Sequence, residues 1–320
     1  MMAALGSMTS SASASDWWRL TPTQVGALRV AFGLPPQPGA PLPLVDAPSA
    51  PNAVLAEVGV PSDPGTIAGL RALASPVAVA QVLVQPVGPG RVRRVTIGVG
   101  NDGAWGAVLV GIRDLEVAVA GGVAELVALV LRRVGVQGDV AWDALGRFSA
   151  AEVTALLAGT DALTEVMLQQ RLARQGYGAA PQLRLDAVQR QVAMGQQQPD
   201  PSWLVAAAGW LLPGGLVADA AVLGQGLAQL ERAGWLTDGL PEVGRPARLW
   251  SVLGGVERVV QVRWSADGPV ASIGILAAGA ANLLLSWPAA PGAPAWAAIA
   301  GSADLVRSVS ELLTAGPGAG

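Results

Sequence analysis

The feature that most constrains the fold is an internal repeat, in which apolar segments recur roughly 175–180 residues apart. Three pairs of segments match: residues 70–84 with 249–264, 95–100 with 271–276, and 122–130 with 301–309. The first pair places Val82 on Val262. Chance similarity in an alanine- and valine-rich chain is the alternative, but it does not explain why helix, three strands and helix follow in the same order twice. We therefore predict a duplicated α/β unit.

The repeat divides the chain into two α/β halves joined by a helical segment. The predicted boundaries are a flexible tail at 1–15, an N-terminal half at 16–148, a central helical segment at 149–202, a C-terminal half at 203–314 and a flexible tail at 315–320. Period-2 runs in the first half predict strands at 77–84, 92–99, 104–112 and 115–119. Helical spacing predicts helices at 17–34 and 122–134, and Leu42 and Leu44 indicate an edge strand. One compact domain is expected.

Two uncharged stretches have the hydrophobicity of membrane segments, but neither is predicted to span a bilayer. Residues 203–218 are interrupted by a Pro-Gly-Gly sequence. Residues 270–287 approach the ~18–20 apolar residues that a span needs, but the repeat aligns them with residues 94–110, which carry an arginine and an aspartate. We therefore predict a buried hairpin that turns at Gly279. Residues 1–15 lack the basic and apolar regions of a secretion signal, and so a cytoplasmic protein is expected.

Composition removes most catalytic chemistry from consideration. The chain contains no His and no Cys, and all 20 of its basic residues are Arg. An imidazole base, a cysteine nucleophile, a Cys or His zinc site and a lysine-dependent phosphate loop are therefore excluded. Carboxylate chemistry, binding through the backbone, or no chemistry remains. The formal charge of −3 supplies no basic surface for a nucleic acid, and we expect no metal and no cofactor.

Two patterns resemble catalytic motifs without the context that those motifs need. Residues 98–103 (GVGNDG) match the glycine spacing of dinucleotide sites, but a strand rather than a helix is predicted to follow them. They are therefore predicted to form a hairpin turn. Paired acids occur at Asp114 and Glu116, and at Asp139 and Asp143. A carboxylate enzyme needs such a pair in one cleft, and solvated surface acids are the favoured alternative.

Residues 85–92 connect two predicted strands through a turn marked by proline and glycine. Val87 is predicted to be exposed on this stiffened turn, and Arg91 and Arg93 alternate beside it. A stiffened loop loses little entropy on docking, and arginines pair well with acids or carbonyl groups of a partner. The alternative role is a charged sheet edge that prevents aggregation.

The 11 tryptophans are numerous beside two Phe and the single tyrosine, Tyr177. Trp203, Trp210 and Trp235 fall in a segment that is predicted to be helical. Filling the core is one role for such residues, and anchoring a partner in an apolar groove is the other. The helical segment at 203–235 is expected to expose more apolar area than one packed stripe requires.

The order of segments resembles a known protein family. A capped helix (LTPTQVGALRVAFGLPP) leads to a proline-marked PLPL segment. Then come VGVPSDPGTIAGLRALASPVAVAQVLV, a strand meander, a helix, a helical middle and a second copy of the meander. Most of residues 17–313 in this order resembles the EspG family, the cytosolic chaperones of type VII (ESX) secretion in actinobacteria.

The resemblance implies a fold and a function. The implied fold is α+β, with a pseudo-twofold, duplicated antiparallel β-sheet flanked by helical bundles. The implied function is non-enzymatic: a chaperone that binds the hydrophobic tip of a PPE protein in a PE–PPE dimer, through the loop between the second and third strands and through helices of the C-terminal bundle. The candidate partner-binding residues are Gln85, Val87, Arg91, Arg93, Trp203, Trp210 and Trp235. A carboxylate-dependent enzyme and a membrane-associated assembly component of a secretion system remain alternatives.

Overall fold

The structure is a computed structural model, and it describes residues 17–35, 37–46, 48–56, 58–172, 182–197, 200–241, 243–265 and 270–316. The strands are β1 (Trp18–Leu20), β2 (Ala78–Pro86), β3 (Arg93–Val99), β4 (Trp105–Val110), β5 (Leu115–Ala120), β6 (Asp143–Phe148), β7 (Arg258–Trp264), β8 (Ser272–Ala278), β9 (Ala281–Trp287) and β10 (Ala295–Ala300). The helices are α1 (Pro22–Ala31), α2 (Pro51–Ala56), α3 (Pro64–Ala74), α4 (Val123–Arg133), α5 (Ala150–Leu172), α6 (Leu185–Gln197), α7 (Leu204–Ala208), α8 (Ala220–Arg232), α9 (Arg245–Gly254) and α10 (Ser302–Ala315). The predicted tail at 1–15 and Tyr177 lie outside the described residues, as do all but the first two residues of the tail at 315–320.

The described strands form one antiparallel sheet, so the α+β class is confirmed. Their spatial order is β1-β5-β4-β3-β2-β7-β8-β9-β10-β6. β2 and β7 meet at the centre, where Val82 lies directly opposite Val262. The elements α3, β2, β3, β4, β5 and α4 on one side follow the same order as α9, β7, β8, β9, β10 and α10 on the other.

One face of the sheet is covered by α4 and α10, which also pack against each other. Leu126 and Val130 of α4, and Leu305 and Val309 of α10, are buried in one cluster with strand residues such as Val82. Burial on this face follows the period-2 alternation of the strands, because successive strand side chains point to opposite faces.

The opposite face is covered in two separate parts. α3 packs over β3, β4 and β5, and α1 packs against β1 and α2, with Leu28, Leu73 and Val117 in a common cluster. Helices α5 to α9 contribute to a larger cluster over the other half of the sheet, which includes Leu249 and Leu285. The central strand β2 lies between these two helical layers.

Glycines allow α3 to lie close to the sheet. Gly98 of β3 and Gly106 of β4 are register partners on the face that α3 covers. A Cβ at Gly98 would collide with the backbone carbonyl of Ala72, and one at Gly106 would lie 2.8 Å from the carbonyl oxygen of Gly69. The glycine spacing of residues 98–103 therefore belongs to sheet packing and to a turn.

The two predicted hairpins are confirmed. Gly98 lies in β3, the chain turns through residues 100–103, and the backbone N–H of Gly100 donates to the Ala104 carbonyl at 2.9 Å. β8 and β9 pair on either side of Gly279, whose φ is +64°. None of the described helices combines the length and the hydrophobicity that crossing a membrane requires.

Two local predictions are wrong. The helix predicted at 17–34 is shorter, because Trp18–Leu20 pairs with β5 and Thr21 caps a helix that begins at Pro22. The edge strand at Leu42 and Leu44 does not form, since the Leu42 backbone instead bonds to the carbonyl of Leu73 and to the side chain of Arg29. Asp139 and Asp143 do not share a helix, because Asp143 begins β6.

Candidate interaction site

The loop between β2 and β3 is fixed at its base by main-chain hydrogen bonds. The N–H of Val87 donates to the carbonyl of Glu257 at 2.8 Å, and the N–H of Gly88 donates to the carbonyl of Pro201 at 2.7 Å. Gly88 has a φ of +104°, a conformation that glycine adopts without strain. The loop is thereby attached both to the start of β7 and to the segment that precedes α7.

Val87 is not the exposed residue that the sequence predicts. It is half-buried and packs against the core cluster of the C-terminal half. The neighbouring Gln85 is also half-buried, and its Nε2 atom donates to the carbonyl of Pro86 at 3.2 Å. Because the loop base is bonded to β7, the side chain of Val87 turns toward the core and contributes to its packing.

The three candidate tryptophans divide between core and surface. Trp203 and Trp210 are half-buried and pack on the same core cluster. Trp235 is 8% exposed, with its ring 5.5 Å from that of Phe148 and the guanidinium carbon of Arg245 5.9 Å from its ring centroid. Trp235 is therefore packed in the core, which is the first of the two roles that the sequence allows for the tryptophans.

A cleft of about 870 Å³ lies beside the loop. Its charged lining residues are five arginines and one glutamate: Arg19, Arg91, Arg93, Arg133, Arg258 and Glu116. They come from β1, the loop, β3, the end of α4, β7 and β5, so the sheet order is what brings them together. We call this feature the arginine cleft.

The single carboxylate of the arginine cleft is neutralised by its neighbours. Arg133 donates to both oxygens of Glu116, from Nε at 2.6 Å and from Nη2. Arg19 also approaches Glu116, at 3.4 Å, and forms an ion pair with Asp114 at 3.2 Å. Both acids of the predicted Asp114/Glu116 pair thus form ion pairs with arginines.

Two arginines of the cleft have no side-chain partner among the described residues. Arg258 is not one of them, because it donates to the carbonyl of Gly135 at 3.1 Å and lies 3.6 Å from a carboxylate oxygen of Glu257. The side chains of Arg91 and Arg93 are exposed and form no hydrogen bond or ion pair with any residue that the structure describes. The cleft therefore carries an excess of positive charge that is available to a ligand.

The two acids of the other predicted pair lie in different surroundings, and the first of them, Asp139, is exposed. Asp139 lies in the loop after α4, whereas Asp143 forms ion pairs with Arg245 at 2.9 Å and Arg248 at 3.6 Å. Within the described part of the chain, His, Cys, Asp and Glu nowhere form a group of three or more that could hold a metal ion.

Asp161 is a buried residue that the sequence did not single out. It is 4% exposed, and its carboxylate accepts hydrogen bonds from the backbone N–H groups of Leu204 at 2.9 Å and Val205 at 2.7 Å. Burial raises its pKa to about 6, against the opposing effect of the two hydrogen bonds. The carboxylate holds the start of α7 in place, and hence the segment that bonds to the loop at Gly88.

Comparison with known proteins gives no family for this chain: it matches no protein-family model and no curated protein.

Proposed function

We propose that this protein is a cytoplasmic chaperone or adaptor that binds an aggregation-prone, helical secreted protein of the PE–PPE type and keeps it competent for type VII secretion. The observation that carries the proposal is the β2–β3 loop, which is anchored at Val87 and Gly88. It presents the exposed Arg91 and Arg93, whose side chains bond to none of the described residues. An anchored loop binds a partner at a low entropic cost. The proposed function needs no catalytic group and no cofactor.

The proposed binding surface is smaller than the sequence suggests. It consists of the loop, the half-buried Gln85, and the solvent-facing parts of Trp203 and Trp210. The loop is joined to this helical segment by the hydrogen bond from Gly88 to the carbonyl of Pro201, two residues before Trp203. Aromatic side chains beside arginines match the composition of binding hot spots.

A pseudo-twofold origin of the sheet supports the resemblance on which the proposal draws. Val82 lies opposite Val262, the residue that the sequence repeat equates with it. The pairs on either side, Gln81 with Arg263 and Leu83 with Gln261, are exchanged into one another by the same repeat. Such a pairing arises when two copies of one strand meet across a twofold axis. Val82 pairs with Val95 as Val262 pairs with Ile273, so we equate Val95 with Ile273, two residues beyond the Ala271 that the sequence alignment suggests.

The duplication that we propose extends to the edges of the sheet. β1 pairs with β5 and leads into α1, as β6 pairs with β10 and leads into α5. Both helices begin with a reciprocal capping box, formed by Thr21 with Gln24 and by Ser149 with Glu152. We therefore propose that the segment at 149–202 belongs to the second unit rather than lying between two units.

Co-purification tests the proposed function. The full chain is affinity-tagged, co-expressed with the products of neighbouring genes, and the captured proteins are identified by mass spectrometry. We expect capture of a helical, secreted partner by the wild type and a loss of about tenfold or more with Arg93→Glu, since one centrally placed hot-spot residue contributes about 2 kcal/mol.

The matched control is Arg71→Glu, which makes the same charge change at an exposed arginine on α3. Arg71→Glu should retain capture, and circular dichroism should show both variants folded. Wild-type capture that Arg93→Glu leaves unchanged would place the binding surface elsewhere.

A further inference from the structure

The arginine cleft has a chemical character that identifies what it can bind. Of its five arginines, Arg19 and Arg133 share one carboxylate, and the side chains of Arg91 and Arg93 have no partner among the described residues. The lining therefore has an excess of positive charge on a protein whose formal net charge is −3. Charge complementarity favours an anionic ligand.

The rim of the cleft is apolar and exposed. Val92, Val110 and Ile112 line it with exposed fractions of 59%, 60% and 82%. Large apolar side chains at such exposure mark an interaction site when they lie together rather than singly. A free inorganic anion gains nothing from contact with this apolar rim. A peptide that carries both acidic and apolar side chains contacts the arginines and the rim together.

The dimensions also fit a peptide. The volume of about 870 Å³ falls within the range of ligand pockets, about 300–1,000 Å³. The cleft borders the same loop that the proposed function assigns to partner binding. A partner bound to the loop is therefore close enough to contact the cleft as well.

We propose that the arginine cleft binds an acidic segment of the partner protein, with carboxylates paired to Arg91 and Arg93 and apolar side chains on Val92, Val110 and Ile112. The inference rests on the proposed function in one respect, namely that the ligand of this loop is a protein. It adds the chemistry of the recognised segment and a second contact surface beyond the loop and the tryptophans.

Labelled peptides test the inference directly on the full-length protein. Three probes are compared by fluorescence anisotropy: an amphipathic peptide of Glu and Leu, a counterpart with every Glu replaced by Gln, and a counterpart with every Leu replaced by Ser. We expect the Glu/Leu peptide to bind most tightly, and its binding to weaken as NaCl rises from about 50 to about 300 mM, because salt screens exposed charges.

Variants locate the binding. Arg93→Glu should weaken Glu/Leu peptide binding about tenfold or more, whereas Arg71→Glu, away from the cleft, should not. Ile112→Ser should weaken it as well, whereas Val243→Ser, at a 98% exposed residue that does not line the cleft, should leave it unchanged. All four positions are exposed, so that unfolding does not obscure the result.

Several outcomes would overturn the inference. Equal affinity for the Glu/Leu peptide and its Gln counterpart would show that charge does not contribute to binding. Equal affinity for the Glu/Leu peptide and its Ser counterpart would show that the cleft is only an anion site. Tripolyphosphate that binds at lower concentration than the Glu/Leu peptide has the same consequence.

Failure of the proposed function and failure of the cleft inference give different experimental results. A wild type that binds the Glu/Leu peptide but captures no helical partner in co-purification contradicts the chaperone role and leaves the chemistry of the cleft supported. Capture of the partner without any peptide selectivity contradicts the cleft inference alone.

Discussion

Asp161 shows how a single buried side chain supports the candidate site from a distance. Its carboxylate caps the start of α7, and the segment before α7 accepts the hydrogen bond from Gly88 of the loop. Sequence reasoning did not find this role, because the partners lie 43 and 44 residues away along the chain. An aspartate in the middle of a helix carries no local signal that it caps another helix.

The raised pKa of Asp161 predicts a pH dependence of stability. Its pKa is about 6 in the folded chain and about 3.9 in an unfolded one. Between these values the folded chain holds the proton more tightly, so the free energy of unfolding falls as the pH rises from about 4 to about 6. The contribution of this one residue is about 2–3 kcal/mol.

Urea unfolding between about pH 4 and pH 7 measures this effect. We expect Asp161→Asn to have a flatter pH profile than the wild type, since an amide does not titrate. The variant should also be less stable at low pH, because its NH2 group cannot accept from either N–H group, whereas the hydroxyl oxygen of the protonated acid keeps some acceptor capacity. Parallel profiles for the two proteins would contradict this account of Asp161.

At the scale of elements, the contact between α3 and the sheet depends on Gly98. We expect Gly98→Ala to lower the free energy of unfolding by about 1–3 kcal/mol, since overpacking forces the helix and strand apart. Gly254→Ala is the control, because a Cβ at this exposed last residue of α9 meets no atom within 4 Å. Chemical unfolding compares the two. A Gly98→Ala variant as stable as Gly254→Ala would show that the close approach of α3 is dispensable.

Local pattern predicts some elements well and others poorly. The alternating runs in β2 to β5 and the turns at 100–103 and Gly279 are visible because each depends on neighbouring residues. β1 has only three residues, too few for alternation to compete with the helical spacing after it. β6 is hidden for a different reason: a register shift and the φ of +115° at Gly146 interrupt its alternation.

For the molecule as a whole, the sequence repeat predicts that β2 and β7 occupy equivalent positions but not that they pair with each other. It predicts the candidate site only in part. The sequence predicts Arg91 and Arg93 as site residues because they alternate at the end of the loop and the start of β3. Arg19, Arg133 and Arg258 come from β1, α4 and β7, and only the order of strands in the sheet places them on one cleft. Burial of Val87 and Trp235 is likewise a tertiary property, which no local pattern encodes.

The central claim is that a protein partner binds at the β2–β3 loop, and hydrogen exchange of the purified complex tests it most directly. Amide exchange is measured by mass spectrometry for the free chain and for the chain bound to its captured partner. We predict slower exchange in the complex at residues 88–93 and 200–212, and unchanged exchange on the exposed face of α8, including Val222. Protection confined to α8, or to the exposed end of α5 around Leu172, with the loop unchanged, would contradict the account.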